Sequence, residues 1–138
     1  VVIDILTRFP KKNIIIHTTN TSPIFDRDLE KDMCGDMAHP IHTIHLLSKF
    51  PHINFIFAHA GGNKWLTDCA SICSKYKNAY LDISYTFGDK DNLNALKWLF
   101  RIIPKKILFG SDYYMIDYKE FLKLPYFKEM QENNALLR

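Results

Sequence analysis

Four short apolar runs in this chain each stop at a polar residue equipped for chemistry, and this repetition constrains the fold more than any other feature. Ile14-Ile15-Ile16 ends at His17, and Phe55-Ile56-Phe57-Ala58 ends at His59. The run from Ala79 to Ile83 carries Asp82 and ends at Ser84, while Ile107-Leu108-Phe109 leads through Gly110 and Ser111 to Asp112. Continuous apolar runs bounded by turn residues are the pattern of strands buried on both faces, and such strands belong to parallel sheets. Parallel strands put their C-terminal ends on one side. Two imidazoles, one or two carboxylates and a hydroxyl are therefore expected on a single face, where α/β sheets and (β/α)8 barrels keep their active sites.

Helical patterns separate the runs. Residues 2 to 9 read as the end of a helix, which Pro10-Lys11-Lys12-Asn13 turns into a strand over 14–17. Pro40 fits a first helical turn, and Ile41, Ile44 and Leu47 repeat on one face up to Phe50, before Pro51-His52 breaks the pattern. After a strand over 53–58, His59-Ala60-Gly61-Gly62-Asn63 makes a tight turn. A helix from about Lys64 to Tyr76 then buries Leu66, Cys69, Ile72, Cys73 and Tyr76 at spacings of three and four. Cys69 and Cys73 lie one turn apart and raise a zinc reading, but core packing is the expectation for free cysteines in this pattern. A strand over 79–84 is followed by a helix marked by Leu93, Leu96, Leu99 and Ile103 and stopped by Pro104. The last strand spans 106–110, and a final helical stretch, in two pieces around Pro125, carries the chain to Arg138. Strands start about 25 to 40 residues apart, as right-handed βαβ units require.

The chain has 138 residues, enough for one domain, and its 47% hydrophobic content allows a substantial core. Four strands with their helices make half of a (β/α)8 barrel, whose usual size is roughly 250 residues. The expected fold is thus α/β, the C-terminal half of a (β/α)8 TIM-type barrel, with residues 1–138 as one partial domain. Val1 in place of Met, and an opening helix already under way, lead to the expectation of an upstream half. A half-barrel exposes sheet edges and apolar surface, so association with that half or with a second copy is expected.

The net charge of +3 comes from dispersed lysines without a run of five or six like charges, so no nucleic-acid footprint is expected. No stretch approaches the roughly 18 apolar residues of a membrane span, and nothing at this N-terminus reads as a secretory signal. Three cysteines, an odd number, do not form a disulfide framework, which points to a reducing cytoplasm. The long mixed segment from Pro23 to His39, with four aspartates and one glutamate, is a candidate lid or substrate-contacting loop at the mouth of the site.

HTT after the first run, FPHINFIFAHAGG, the NAYLDIS strand and KKILFGSDYY together resemble the C-terminal half of the amidohydrolase-2 group of the metal-dependent amidohydrolase superfamily. That group includes aminocarboxymuconate-semialdehyde decarboxylase and related 2,6-dihydroxybenzoate and salicylate-type decarboxylases. The resemblance covers the chain from about Asn13 to Asn134-Ala135-Leu136-Leu137. It implies that His17 and Asp112 are metal ligands and that His59 activates water or moves a proton. The group's His-x-His ligand pair has no counterpart in this sequence. His39, His42 and His45 do not replace it, because they lie in or beside a helix rather than at a strand end. Tyr114 stands where the group usually has proline after Gly-Ser-Asp-Tyr.

The residue chemistry agrees with such a site. A divalent transition metal, zinc first, takes imidazole and carboxylate ligands and keeps one position open. It lowers the pKa of bound water and polarises a carbonyl, while a non-ligand histidine moves the proton. The candidates are His59 as acid/base, His17 and Asp112 as metal ligands, and Trp65, Asp82 and Tyr113 as substrate contacts. Each has a plainer alternative. His17 could be structural, Gly61-Gly62 behind His59 could be only a tight turn, and Asp112 could cap a helix. Asp82 could face the barrel interior or pair with a neighbouring base, and Trp65 could simply pack. Ser84 and Ser111 lack the G-x-S-x-G elbow of a serine hydrolase. HTTNTS after the first strand lacks the glycines of a flavodoxin-like phosphate loop.

The expected function is metal-dependent hydrolysis of a C–N or C–O bond in a small-molecule substrate. The alternatives are metal-dependent non-oxidative decarboxylation and an inactive fragment or binding scaffold derived from the fold.

Overall fold

Four parallel strands, hydrogen-bonded in chain order, form the sheet of the computed structural model, which describes residues 2–9, 12–18, 38–84, 90–110 and 126–137. They are β1 (Ile14–His17), β2 (Phe55–Ala58), β3 (Ala79–Asp82) and β4 (Ile107–Leu108). The helices are α1 (Val2–Arg8), α2 (Ile44–Lys49) entered through a 3-10 turn at Pro40–Thr43, α3 (Gly62–Lys75), α4 (Lys90–Ile102) and α5 (Phe127–Ala135). Strand and helix alternate as the sequence pattern requires. Among the described residues no helix is long and apolar enough to cross a membrane.

The register sorts each strand into two sets of side chains. His17 pairs with Ala58, Phe57 with Leu81, and Asp82 with Leu108, so His17, Ala58, Asp82 and Leu108 stand in one row across the sheet. Because side chains alternate along a strand, this row and the one below it, Ile15 and Ile56, share a face. The opposite set, Phe55, Phe57, Ala79, Leu81 and Ile107, is fully buried and packs with Leu47, Cys69, Cys73, Leu96, Leu99 and Met130 into one core. That helix-facing layer is the main hydrophobic stabilisation of the chain.

Burial on both faces, expected for all four strands, holds along the whole of β2 but fails for β1. Ile15 is 71% exposed and His17 is exposed, because β1 is the edge of the described sheet and nothing described covers its inner face. Three strands are also shorter than the spans expected from the sequence, 53–58, 79–84 and 106–110. Ile53 is drawn into a turn with Phe50, and the Asp82 side chain turns back onto the backbone N–H of Ser84. After Leu108, Phe109 pairs its backbone N–H and C=O with the Asn134 side-chain amide, at 2.9 and 2.8 Å, instead of with a strand.

Buried amides and one lysine fix the connections. The Asn78 amide donates to the carbonyls of Leu47, Phe50 and Ile53 at 3.0–3.2 Å, tying the end of α2 to the start of β3. Asn133 donates to Pro104 and Ile107, which docks α5 against β4. Lys106 donates to the carbonyls of Tyr76 and Lys77 just beyond α3, a favourable place for a cation at a helix C-terminus.

Candidate functional site

The C-terminal ends of the strands open onto a cleft of about 540 Å³ on the inner face of the sheet. Its walls combine apolar Ile15, Ile56, Ala58, Leu108 and Phe109 with His59, Asp82 and Ser84. The strand-end convergence inferred from the runs is thus realised for three of the polar residues, and His17 adjoins them. The His17 and His59 rings meet edge to face with centroids 5.0 Å apart.

His59 owes its position to an unusual turn. His59, Ala60, Gly61 and Gly62 all have positive φ, at 63°, 48°, 82° and 57°. For glycine this is ordinary, but for histidine and alanine it is a sparsely populated conformation that the surroundings must enforce. Thr18 supplies part of that enforcement. Wholly buried, its hydroxyl donates to the Ala58 carbonyl at 2.7 Å and accepts from the Gly61 N–H at 3.1 Å. A side chain from the end of β1 thereby locks the turn after β2. Gly61 also has no room for a Cβ, which would lie 2.9 Å from the Cys69 sulfur.

The ring of His59 is held by the next strand. Its Nδ1 lies 3.0 Å from the Ser84 carbonyl oxygen and 3.2 Å from the Ser84 hydroxyl. That hydroxyl donates to Asp82 Oδ2, and the Ser84 N–H donates to Asp82 Oδ1 at 3.2 Å. With the hydroxyl proton committed to Asp82, both Ser84 oxygens face Nδ1 as acceptors, which assigns a ring hydrogen to Nδ1. Asp82 is largely buried, and burial pushes its carboxyl above the usual value. Hydrogen bonds from the Ser84 hydroxyl and N–H, the nearby His59 and the His59 backbone N–H pull in the opposite direction. Gly110 closes the arrangement from β4, since a Cβ there would fall 2.1 Å from Asp82 Oδ1.

The other candidates are placed differently. Trp65 lies apart from the cleft walls, 3% exposed in the first turn of α3, with its ring 5.0 Å from that of His39. His39 uses both nitrogens locally, accepting from the Ile41 N–H at Nδ1 and meeting Asp68 at 3.2 Å through Nε2. Asp112 and Tyr113 lie outside the described residues, as does the candidate lid segment Pro23 to His39 up to its last two residues. Cys69 and Cys73 are buried free thiols in the core, with the Cys69 thiol pushed up to about 12 by desolvation. Sequence reading missed Thr18 and Ser84 as supports. The HTT following the first run and the D-x-S of the third were visible, but nothing in them says which neighbouring strand each side chain would reach.

Two adjacent imidazoles at the strand ends are a donor set that a borderline divalent metal accepts. They do not complete a site. No group of three or more His, Cys, Asp or Glu able to hold a metal exists among the described residues. His17 and Asp82 share a row but stand two strands apart, roughly 10 Å at the usual strand spacing.

Comparison with known proteins agrees with this architecture. The amidohydrolase family model, of the amidohydrolase-2 type, matches residues 3–132. Among solved structures, a TIM-barrel protein from Bordetella bronchiseptica superposes with a TM-score of 0.70 at 18% identity, over 99% of this chain and 49% of that one. A 2,6-dihydroxybenzoate decarboxylase, solved with 2,6-dihydroxybenzoate bound, superposes with a TM-score of 0.58 at 14% identity, over 91% of this chain and 50% of that one. The chain therefore spans about half the length of these two barrels. No curated protein matches the sequence.

Proposed function

We propose a function from one premise: this chain belongs to the amidohydrolase-2 family, whose model spans residues 3–132. Members of that family depend in general on a metal, and both hydrolases and decarboxylases occur among them. The whole protein, of which this chain forms the C-terminal barrel half, acts as a metal-dependent hydrolase on a C–N or C–O bond of a small carboxylate or cyclic substrate. The observation that carries this reading is His59, held through Nδ1 by Ser84 at the cleft and set beside His17.

In that tautomer Nε2 accepts a proton as the nucleophile attacks and returns it to the departing nitrogen or oxygen, the cycle of a general base and acid. The apolar walls from Ile15, Ile56, Leu108 and Phe109 favour a compact, partly apolar substrate. His17 and Asp112 would hold the metal, zinc by the chemistry of these donors, together with ligands from the other half. When bound, such an ion supplies Lewis-acid polarisation and an activated water. Buried free thiols at Cys69 and Cys73 support a reducing, cytoplasmic setting.

Decarboxylation is the second reading, favoured by the predominantly apolar cleft wall, which suits a flat ring. His59 would then deliver a proton to the carbon that loses carbon dioxide. Zinc-loaded full-length protein assayed against lactones, amides and hydroxybenzoates separates the two by ring opening or carbon dioxide release. Product formation lost in His59→Gln, with the fold retained, supports the catalytic reading. Absence of turnover on every class, with His17→Ala affecting only stability, supports a silent scaffold instead.

A further inference from the structure

Asp82 is the hub of the polar end of the cleft. Its Oδ1 accepts the Ser84 N–H, its Oδ2 accepts the Ser84 hydroxyl, and the His59 backbone N–H also points to it. Three donors converging on one carboxyl group are what an ionised carboxylate accepts. One side chain thus supports both the left-handed backbone of His59 and, through Ser84, the nitrogen of its ring. Gly110 lies beside the same carboxylate, with no room for a Cβ between them. Asp82 itself stands behind His59, with the Ser84 hydroxyl between them.

We propose that Asp82 and Ser84 are positioning residues, a directed hydrogen-bond chain from His59 Nδ1 to the Ser84 hydroxyl to the Asp82 carboxylate that fixes His59 as its Nδ1–H tautomer. The proposal deepens the acid/base reading of His59 and, for its effect on turnover, rests on it. The direction of the chain follows from its last member. A carboxylate cannot donate, so the hydroxyl must give its proton to Asp82 and can only accept from the ring.

Asp82→Asn tests this because it preserves shape and reverses direction. The Ser84 N–H requires an acceptor at the Oδ1 position, so the amide oxygen takes that place and the amide NH2 replaces Oδ2. The NH2 then donates to the Ser84 hydroxyl, whose proton turns towards His59 Nδ1. That proton competes with the ring hydrogen held by the Ser84 carbonyl, and the ring is expected to move its hydrogen to Nε2. In Asp82→Asn/Ser84→Ala the link is removed, and the Ser84 backbone carbonyl alone keeps Nδ1 protonated.

The measurement is long-range proton–nitrogen correlation on full-length protein with nitrogen-15 histidine, with His59 assigned by its loss in His59→Gln. The expected result is the Nδ1–H signature in the wild type, Nε2–H in Asp82→Asn, and Nδ1–H again in the double variant. A wild type found as Nε2–H overturns the proposal without any variant needing to fold. An Asp82→Asn that folds and keeps Nδ1–H overturns it equally. Turnover is read in parallel, with an expected fall in kcat of about a hundredfold or more and KM within about twofold. A tautomer that flips while turnover is unchanged leaves the positioning pair standing and removes His59 from the chemistry. Turnover that falls with the tautomer unmoved does the reverse.

Discussion

The two faces of the sheet are built from the same strands and obey opposite rules. The helix-facing set, Phe55, Phe57, Leu81 and Ile107, is fully buried against apolar side chains. The inner set mixes an aliphatic residue that is largely exposed, Ile15, with His17 and with Asp82, a carboxylate held at a cost in desolvation. Alternation along a strand sends neighbours in sequence to opposite faces, so one substitution shifted by one position changes from a core lesion to a site lesion. Stability belongs to one face and the candidate site to the other, and the strand-end turns join them.

The sharpest way to break this comparison is to weaken the outer face. Phe57→Ala should cost about 3–5 kcal/mol in denaturant unfolding, with loss of the cooperative transition as the extreme outcome. A cost below about 1 kcal/mol would mean that the helix-facing layer is not the core. Next in size is Gly110→Ala, which drives a Cβ against the Asp82 carboxylate. It should cost about 1–3 kcal/mol and also disturb the His59 resonances, although β4 is two strands from β2. Unperturbed His59 signals in a folded Gly110→Ala variant would separate the two halves of the cleft.

A smaller effect comes from the thiols of the core. The folded Cys69 thiol stays protonated up to about 12, while the unfolded thiol ionises near 9. Its contribution is therefore complete below about pH 9 and is lost as pH rises towards 12, by at most about 1.4 kcal/mol per pH unit. Unfolding curves for wild type and Cys69→Ala should converge over that window. In a Cys34→Ser background, iodoacetamide should label Cys69 and Cys73 only on unfolding, and fast native labelling would place them outside the core. Smallest of all is Ile15→Ser, expected to change the stability of the isolated chain by less than about 0.5 kcal/mol. A cost of several kcal/mol, or a change in apparent mass by sedimentation, would instead mean that the inner face is packed against another half-barrel.

Much of the fold was legible because the runs are unambiguous. Ile14-Ile15-Ile16 and Phe55-Ile56-Phe57-Ala58 could hardly be anything but strands, and the prolines at 40 and 104 punctuate the chain where helices begin or end. Exposed apolar surface was expected of a half-barrel, but that Ile15 would carry it was not legible, because an apolar run carries no mark of whether the sheet continues beyond it. The left-handed conformations at His59 and Ala60 were equally hidden, since only the two glycines after them advertise a turn. Of the site, the sequence offered His17, His59 and Asp82 as strand-end chemistry. The roles of Thr18 and Ser84 depend on partners 40 and 25 residues away.

The sequence by itself therefore determined the alternation of strand and helix, the parallel sheet and the edge on which polar residues collect. Periodicity and strand-end position are local properties, set by sterics and by the partition of apolar groups from water. Only the tertiary structure decided that the Asp82 carboxylate would meet Ser84, Gly110 and the backbone of His59 at one point. That meeting depends on the register of β2, β3 and β4, and register is chosen by the packing of the whole outer face.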